Sequence, residues 1–407
     1  MDFTFTEEQQ AAADAAKAVF AGVVPDGVPS PSLVPGAVAE DFDRSLWARL
    51  ADADLLSLLL HPAYGGSGLD AIALCLVLRE SAKVLARVPL LESTAAAVAV
   101  QAHGSEELKA ELLPRVGRGE SVLTVAAHGR TGHDPAELAV TARRGADGVW
   151  VLEGVQTAVP WAYDADFVLV PATVPPEPVT PRAPDDRPDP DAVGAGDGAG
   201  DSAGDGRVVL ALVPRVHEGV VLAEQISTTG ERLAELRLES ARIAERDVID
   251  TDGAWERLRE LLATGTCASA LGLGENVLGM TSEYAGKREQ FGFPIASFQA
   301  VAVQAADRFI DLRAMEATLW QAAWRITSGA GGALPAAGDV AVAKIWASEG
   351  VRRVVQTAQH LHGGFGADVD YPLHRYHAWA KHLELSLGPA AAYEEALGDL
   401  LAAHPLG

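Results

Sequence analysis

A chain of 407 residues is longer than one hydrophobic core supports, so two or three domains are expected. Its 48% apolar content fits a soluble, largely helical protein, and a net charge of -24 argues against nucleic acid, whose phosphates are held mainly by cationic surfaces. The start, Met1 to Gln10, has neither the basic stretch nor the apolar core of a secretory signal, and no run is apolar and charge-free enough to span a bilayer. The expectation is therefore a cytoplasmic protein without a membrane partner. Cys75 and Cys267, far apart within apolar helical patterns, read as two buried thiols rather than a disulfide or half a metal site, and no metal centre is expected.

In chain order, residues 6–24 and 41–60 read as amphipathic helices, with Phe42, Leu46, Trp47 and Leu50 spaced to share a face. The stretch Pro62 to Gly68 is a loop by composition. Helices are predicted again over 70–87 and, as one or two pieces ended by Pro114, over 89–113. Residues 1–119 form an N-terminal all-helical domain in this reading.

The period then changes. Ser121 to Ala127, Ala139 to Arg143, Trp150 to Leu152 and Phe167 to Val170 are short strand candidates between turns rich in glycine and aspartate. Residues 171–206 follow, dense in proline and acidic residues with almost no large apolar side chain. Such a segment cannot offset its ordering entropy and reads as a disordered acidic Pro/Gly insertion. Strands resume at Arg207 to Pro214 and Leu233 to Leu238, so residues 120–250 make a small antiparallel sheet or barrel domain, interrupted by a tether. From Trp255 the 3.6-residue period returns. Residues 255–286, 296–328, 338–361 and 372–398 give four long helices, a C-terminal bundle within 251–407.

Two stretches of that bundle carry chemistry: Arg288-Glu289-Gln290-Phe291-Gly292, running on to Phe298-Gln299, and His360-Leu361-His362-Gly363-Gly364-Phe365-Gly366. Each sets hydrogen-bond donors and glycines beside a long helix, the equipment for holding an extended anionic cofactor. Taken alone, Arg288 is equally a surface residue after a helix and Phe291 a core residue. With Tyr64-Gly65-Gly66-Ser67-Gly68 upstream and Asp370-Tyr371-Pro372-Leu373-His374-Arg375 downstream, in this order and spacing, the chain resembles the acyl-CoA dehydrogenase family over nearly its whole length except 171–206.

The resemblance implies the three-domain fold just described and FAD as cofactor. It implies that Arg288 and Phe291 cross a dimer interface to hold the pyrophosphate of a neighbouring subunit's FAD, an arginine suiting that task because its planar fork matches phosphate oxygens. Ile295, Phe298 and Gln299 extend the contact. Gly363 and Gly364 let backbone approach the same cofactor, and His360 stands where the family usually has glutamine. An acyl-CoA is the implied substrate and electron-transfer flavoprotein the implied acceptor.

Two departures matter. The family's Thr-Glu-Pro and Gly-Ser-Asp segments, which hold the flavin ring, are here the eroded run Leu123 to Asp134, and Trp161 either covers a flavin or packs the sheet. The family removes an alpha proton with a carboxylate at one of two positions, and the spacing puts Leu387 at one and Leu262 at the other. A hydrocarbon cannot take a proton. Glu260 and Glu384 lie nearby in sequence but read more simply as solvated helix residues. With no catalytic residue assigned, the chain resembles a subunit of the heteromeric, alpha2beta2 acyl-CoA dehydrogenases of actinobacterial steroid degradation, completing the FAD site of a homologous partner that acts on steroid or cholesterol side-chain thioesters. The alternatives are a self-sufficient homotetramer with Glu260 or Glu384 as a relocated base, a flavin-dependent relative with other acyl chemistry, and a non-catalytic thioester-binding scaffold.

Overall fold

The computed structural model describes residues 4–28, 31, 34–39, 41–129, 137–176 and 207–405. Five helices come first: α1 (Glu7–Phe20), α2 (Arg44–Asp52), α3 (Ala71–Lys83), α4 (Leu90–His103) and α5 (Glu106–Gly117). Their starts are written in side chains that satisfy the orphan N–H groups of a first turn. Thr6 and Gln9 form a reciprocal capping box on α1, while Asp43, Asp70 and Ser105 cap α2, α3 and α5. The Asp70 carboxylate also accepts from Gln9 Nε2 at 2.9 Å, tying α1 to α3.

The sheet is built from β1 (Leu123–Val125), β2 (Val140–Arg144), β3 (Trp150–Pro160), β4 (Phe167–Val174), β5 (Arg207–Pro214), β6 (Val220–Ile226), β7 (Arg232–Ile243) and β8 (Val248–Ile249). Its order is β6-β7-β3-β2-β4-β5-β8, with β1 pairing parallel to β4. Since β2 also runs parallel to β4, the sheet is mixed rather than purely antiparallel. Three sequence expectations change here. Strand β6 was not anticipated, because its half-exposed pattern alternates too weakly. Strand β3 runs eleven residues rather than three, bulged between Leu152 and Gly154 and again between Gln156 and Val159, so no simple alternation marks it. And β4 continues through Pro171 to Val174, pairing with Arg207 to Leu210, so the first four residues assigned to the insertion belong to the sheet. Proline is tolerated there because Pro171 lies between the rungs to β1, which end at Leu169, and the rung to β2 at Thr173. The rest of the expected insertion, residues 177–206, lies outside the described residues.

After the sheet come α6 (Ala254–Lys287), a hairpin of β9 (Glu289–Gln290) and β10 (Phe293–Pro294), then α7 (Gln299–Ser328), α8 (Ala336–His362), α9 (Leu373–Leu385) and α10 (Ala390–Ala403). The fourth expected bundle helix, 372–398, is thus two helices. Its apolar period is continuous, but Leu387 at φ 60°, Gly388 at φ 107° and Pro389 end one helix and open the next. The architecture is an N-terminal helical domain, a central sheet domain and a C-terminal helical domain. The helices share one buried core that α6 threads, and the sheet has its own around Val140, Trp150, Leu152, Val168 and Leu236. At Gly272 the crossing of α3 over α6 is so close that a Cβ would stand 2.0 Å from the Arg79 carbonyl oxygen.

Three regions of the chain are locked by one buried ion pair. Arg375 on α9 binds Asp26 from the segment after α1 and donates to the Thr229 carbonyl, in the β6–β7 turn, at 2.9 Å. Trp379 Nε1 donates to the same Asp26 carboxylate at 3.0 Å. Among the described residues no helix is long and apolar enough to cross a membrane.

Candidate functional site

The two expected base positions, one on a helix and one in a helix break 125 residues later in sequence, line the same cavity. Leu262 comes from α6 and Leu387 from the α9–α10 break; α3 adds Leu78 and Ser81, α4 adds Leu91 and Glu92, and the sheet adds His128, Ala158 and Pro160. The void measures about 150 Å³. That is the size of an engineered cavity that takes benzene, well below the few hundred Å³ of ordinary ligand pockets.

The break that carries Leu387 is held from beneath by Lys344. This fully buried lysine donates to Ser348 Oγ at 2.7 Å and to the carbonyls of Glu384 and Gly388, each at 3.1 Å. Burial pushes its ammonium down to about 8, and those acceptors keep it satisfied. From the opposite wall His128 Nε2 accepts the Leu387 N–H at 3.1 Å, bridging sheet and bundle across 259 residues of sequence. Burial holds the His128 imidazole below its ordinary value, so it stands neutral, and its neighbour His382 is pushed down to about 4 by burial and by His128.

Glu260 and Glu384 do not line this cavity. Glu384 Oε2 takes the Lys381 ammonium at 2.6 Å instead, and the Glu260 carboxyl is raised by burial, so it is not the solvated residue that the sequence suggests. The carboxyl that does line the cavity is Glu92, raised to about 7 by burial against a hydrogen bond from Trp161. Sequence reading missed it because a glutamate in the first turn of a helix is ordinary. Trp161 sits edge-to-face on Phe42 at 6.3 Å between ring centroids, joining sheet to helical domain.

FAD does not fit this cavity. Desaturation needs a base, a thioester and a flavin ring in layers, and three van der Waals contacts at about 3.5 Å set roughly 10 Å between the walls. The void of about 150 Å³ holds no such stack, and the His128–Leu387 hydrogen bond joins two of its lining residues.

The other candidate residues lie at the far end of α6, about 40 Å from Leu262 at 1.5 Å per residue. Arg288 follows the last turn of α6, and the Ile295 N–H bonds back to its carbonyl at 2.8 Å, closing the hairpin. The hairpin turn is Phe291-Gly292, both at positive φ, 54° and 83°. That is the two-residue turn matching strand twist, and Asn-Gly is its preferred sequence. Phenylalanine there is held in a conformation that costs about 1–2 kcal/mol, with 91% of its surface exposed. Phe298 meets it edge-on at 6.2 Å. Beyond Gln299, the first residue of α7, the exposed apolar row continues through Val303, Phe309 and Ile310. Among the described residues no carboxylate lies within salt-bridge reach of Arg288.

A second turn lies beside the hairpin. Tyr284, one helical turn before Arg288, stacks on His362 at 4.3 Å and lies near-parallel to Phe365 at 5.5 Å, and Phe365 packs on Tyr371 at 4.4 Å. His362 is fixed at both nitrogens, Nδ1 facing the Ala358 carbonyl at 2.8 Å and Nε2 the Tyr371 hydroxyl at 3.1 Å. This ladder orients Gly363, at φ 59°, and Gly364, neither with any atom within 4 Å of an added Cβ. His360 stands exposed on the last turn of α8. Arg288, Tyr284, Phe365 and Tyr371 border one shallow groove. The surface suits a phosphate-bearing cofactor: an unpaired guanidinium, exposed rings and accessible glycine backbone lie side by side. His362 and Tyr371 lie in motifs singled out in the sequence but without an assigned role, and Tyr284 carries no signal there because only the fold stacks it on His362.

The chain is similar to known proteins over its whole length. Residues 6–120 match the family description "Acyl-CoA dehydrogenase, N-terminal domain" and residues 260–398 match "Acyl-CoA dehydrogenase, C-terminal domain". The chain is 34% identical to acyl-CoA dehydrogenase FadE27 of Mycobacterium tuberculosis (strain ATCC 25618 / H37Rv) over 412 residues, covering 100% of each. Among solved structures it is similar to the ChsE4-ChsE5 complex from Mycobacterium tuberculosis, with 34% identity, TM-score 0.84 and 100% of each chain covered. It is also similar to a Tcur3481-Tcur3483 steroid ACAD variant, with 33% identity, TM-score 0.82 and 98% of each chain covered.

Proposed function

The chain belongs to the acyl-CoA dehydrogenase family, and we propose that it is the subunit that completes the FAD site of a homologous partner while its own cavity abstracts no proton. The observation that carries this reading is the separation along α6 of a small cavity with hydrocarbon at both expected base positions from the open surface around Arg288. One chain cannot bring Arg288 to its own cavity, so its flavin contacts serve another chain. FAD, when bound, supplies the hydride acceptor for alpha,beta-desaturation of a CoA thioester.

In this reading Arg288 neutralises and orients the pyrophosphate of the partner's FAD. Phe291, Ile295 and Phe298 exclude water from its apolar side, and Gln299 and His360 offer polar contacts. Gly363 and Gly364 admit the cofactor to backbone distance. The proton is taken by a carboxylate of the partner. The alpha2beta2 assembly, with two FAD, acts on a steroid or cholesterol side-chain thioester in the cytoplasm and passes electrons to electron-transfer flavoprotein. The kinship with a ChsE4-ChsE5 complex and with a steroid ACAD supports the heteromer and the substrate class.

The test is co-purification with the products of neighbouring genes and a count of FAD per tetramer. Two FAD, with turnover lost when Arg288 of this chain is replaced by alanine, is the expected result. Four FAD, or full turnover by this polypeptide alone, sinks it.

A second reading rests on Glu92. A carboxyl raised to about 7 inside an apolar cavity has the property of a general base. Turnover by the chain alone that disappears in Glu92→Gln would establish it.

A further inference from the structure

We propose that His128 is the residue that holds this chain's own flavin place shut. The proposal rests on the partner-subunit reading only for its biological sense; its physical content is local. Residues 126–129 leave the end of β1 and meet β3 through a single bridge, His128 to Thr157, so the ring is carried on a short, firmly placed segment. The ring then spans the gap to the bundle, and its Nε2 takes the Leu387 amide proton.

That amide needs a partner. Leu387 is left-handed, at φ 60°, within the α9–α10 break, so its N–H does not continue the α9 ladder. In this half-buried seam an unpaired N–H carries a cost, and His128 satisfies it. The imidazole must be neutral and protonated on Nδ1 to accept at Nε2. Burial favours that neutral form, and the hydrogen bond accepted from Leu387 requires it. Nδ1 lies near the Ala158 carbonyl but outside hydrogen-bond alignment and is otherwise without a partner, so nothing competes for the ring's orientation except the Leu387 contact.

The consequence is steric. A flavin ring must enter between the sheet and the wall formed by Leu262 and Leu387, and that is the gap His128 crosses. The lost base and the lost flavin place are thereby one structural fact: the side chain that fills the second is anchored to the backbone of the first.

The test uses the full chain with three forms: wild type, His128→Ala and His128→Gln, whose amide reaches as far as Nε2 and can still accept. Two quantities are read, hydrogen exchange at the Leu387 amide and quenching of lumiflavin fluorescence on binding. Wild type and His128→Gln are expected to protect the amide and exclude lumiflavin. In His128→Ala exchange at Leu387 rises about fivefold or more, the loss of one hydrogen bond, and lumiflavin binds measurably. Faster exchange without lumiflavin binding overturns the proposal, as does unchanged exchange. Should His128→Ala fail to fold, an unprotected Leu387 amide in wild type overturns it as well, and a protected one together with exclusion of lumiflavin sustains it. A chain that proves homomeric yet excludes lumiflavin until His128 is removed refutes the partner reading and leaves this one intact.

Discussion

Leu262 and Arg288 lie on one helix, yet their surroundings are opposite. Around Leu262 the lining is mostly apolar, with leucines and the histidines His128 and His382, and Lys344 behind it is spent on backbone carbonyls. Around Arg288 almost everything is exposed, including a phenylalanine at the tip of a turn that would be more stable with asparagine. The first end has the marks of residues chosen for folding, the second of residues retained against folding. In a single chain that contrast separates what the protein needs for itself from what it offers to another.

Substitutions at the two ends should therefore register in different measurements. The largest effect on stability is expected behind the cavity wall. Asp26→Ala leaves Arg375 buried and uncompensated and frees Trp379 Nε1, so thermal or denaturant unfolding should show a loss of about 3–5 kcal/mol. A loss below 1 kcal/mol would mean that the three regions are not locked there.

Glu92 gives the next effect, and its sign is set by pH. Its carboxyl is raised in the fold from 4.5 to about 7, so the stability it contributes is full below pH 4.5 and is lost as the pH rises through 7. Glu92→Gln removes that decline. The variant should match wild type near pH 4.5 and gain up to about 3 kcal/mol by pH 8; a pH-independent difference would contradict the buried setting.

At the other end stability should scarcely move. Arg288→Ala is expected to leave unfolding within about 0.5 kcal/mol of wild type. FAD affinity of the assembled tetramer, measured by dialysis, should fall about 10- to 100-fold, the worth of charged hydrogen bonds. The smallest effect sharpens the comparison most. Phe291→Asn should stabilise the isolated chain by about 1 kcal/mol while weakening FAD retention in the complex. An unfolding shift of the opposite sign would remove the argument that Phe291 is kept for a partner.

Much of this was legible in the sequence, for reasons that can be named. The helices announced themselves through period and caps, and the order of the Arg288, His360 and Asp370 segments carried the family. Leu262 and Leu387 were found by counting to the two base positions that the family resemblance implies, and the fold brings both to one cavity. What stayed hidden depended on contacts distant in sequence. Glu92 acquires its character only when sheet and α6 close over it, and His128 only when the α9–α10 break presents an amide 259 residues away. The single helix expected over 372–398 failed because Gly388-Pro389 outweighs a continuous apolar period. The strand through Pro171 was obscured because a proline reads as a strand breaker, and only the fold shows it paired with Leu210 on one edge and between rungs on the other.

The row Phe291, Phe293, Val303, Phe309 and Ile310 bears on how a cell must produce this polypeptide. Synthesised in excess, it carries oily surface that chaperones and proteases recognise, and orphaned copies are cleared or clump before they mature. On the proposal that a homologous partner covers this row, balanced translation of two messages becomes a condition for obtaining either product, and the stickiness of the surplus enforces the ratio.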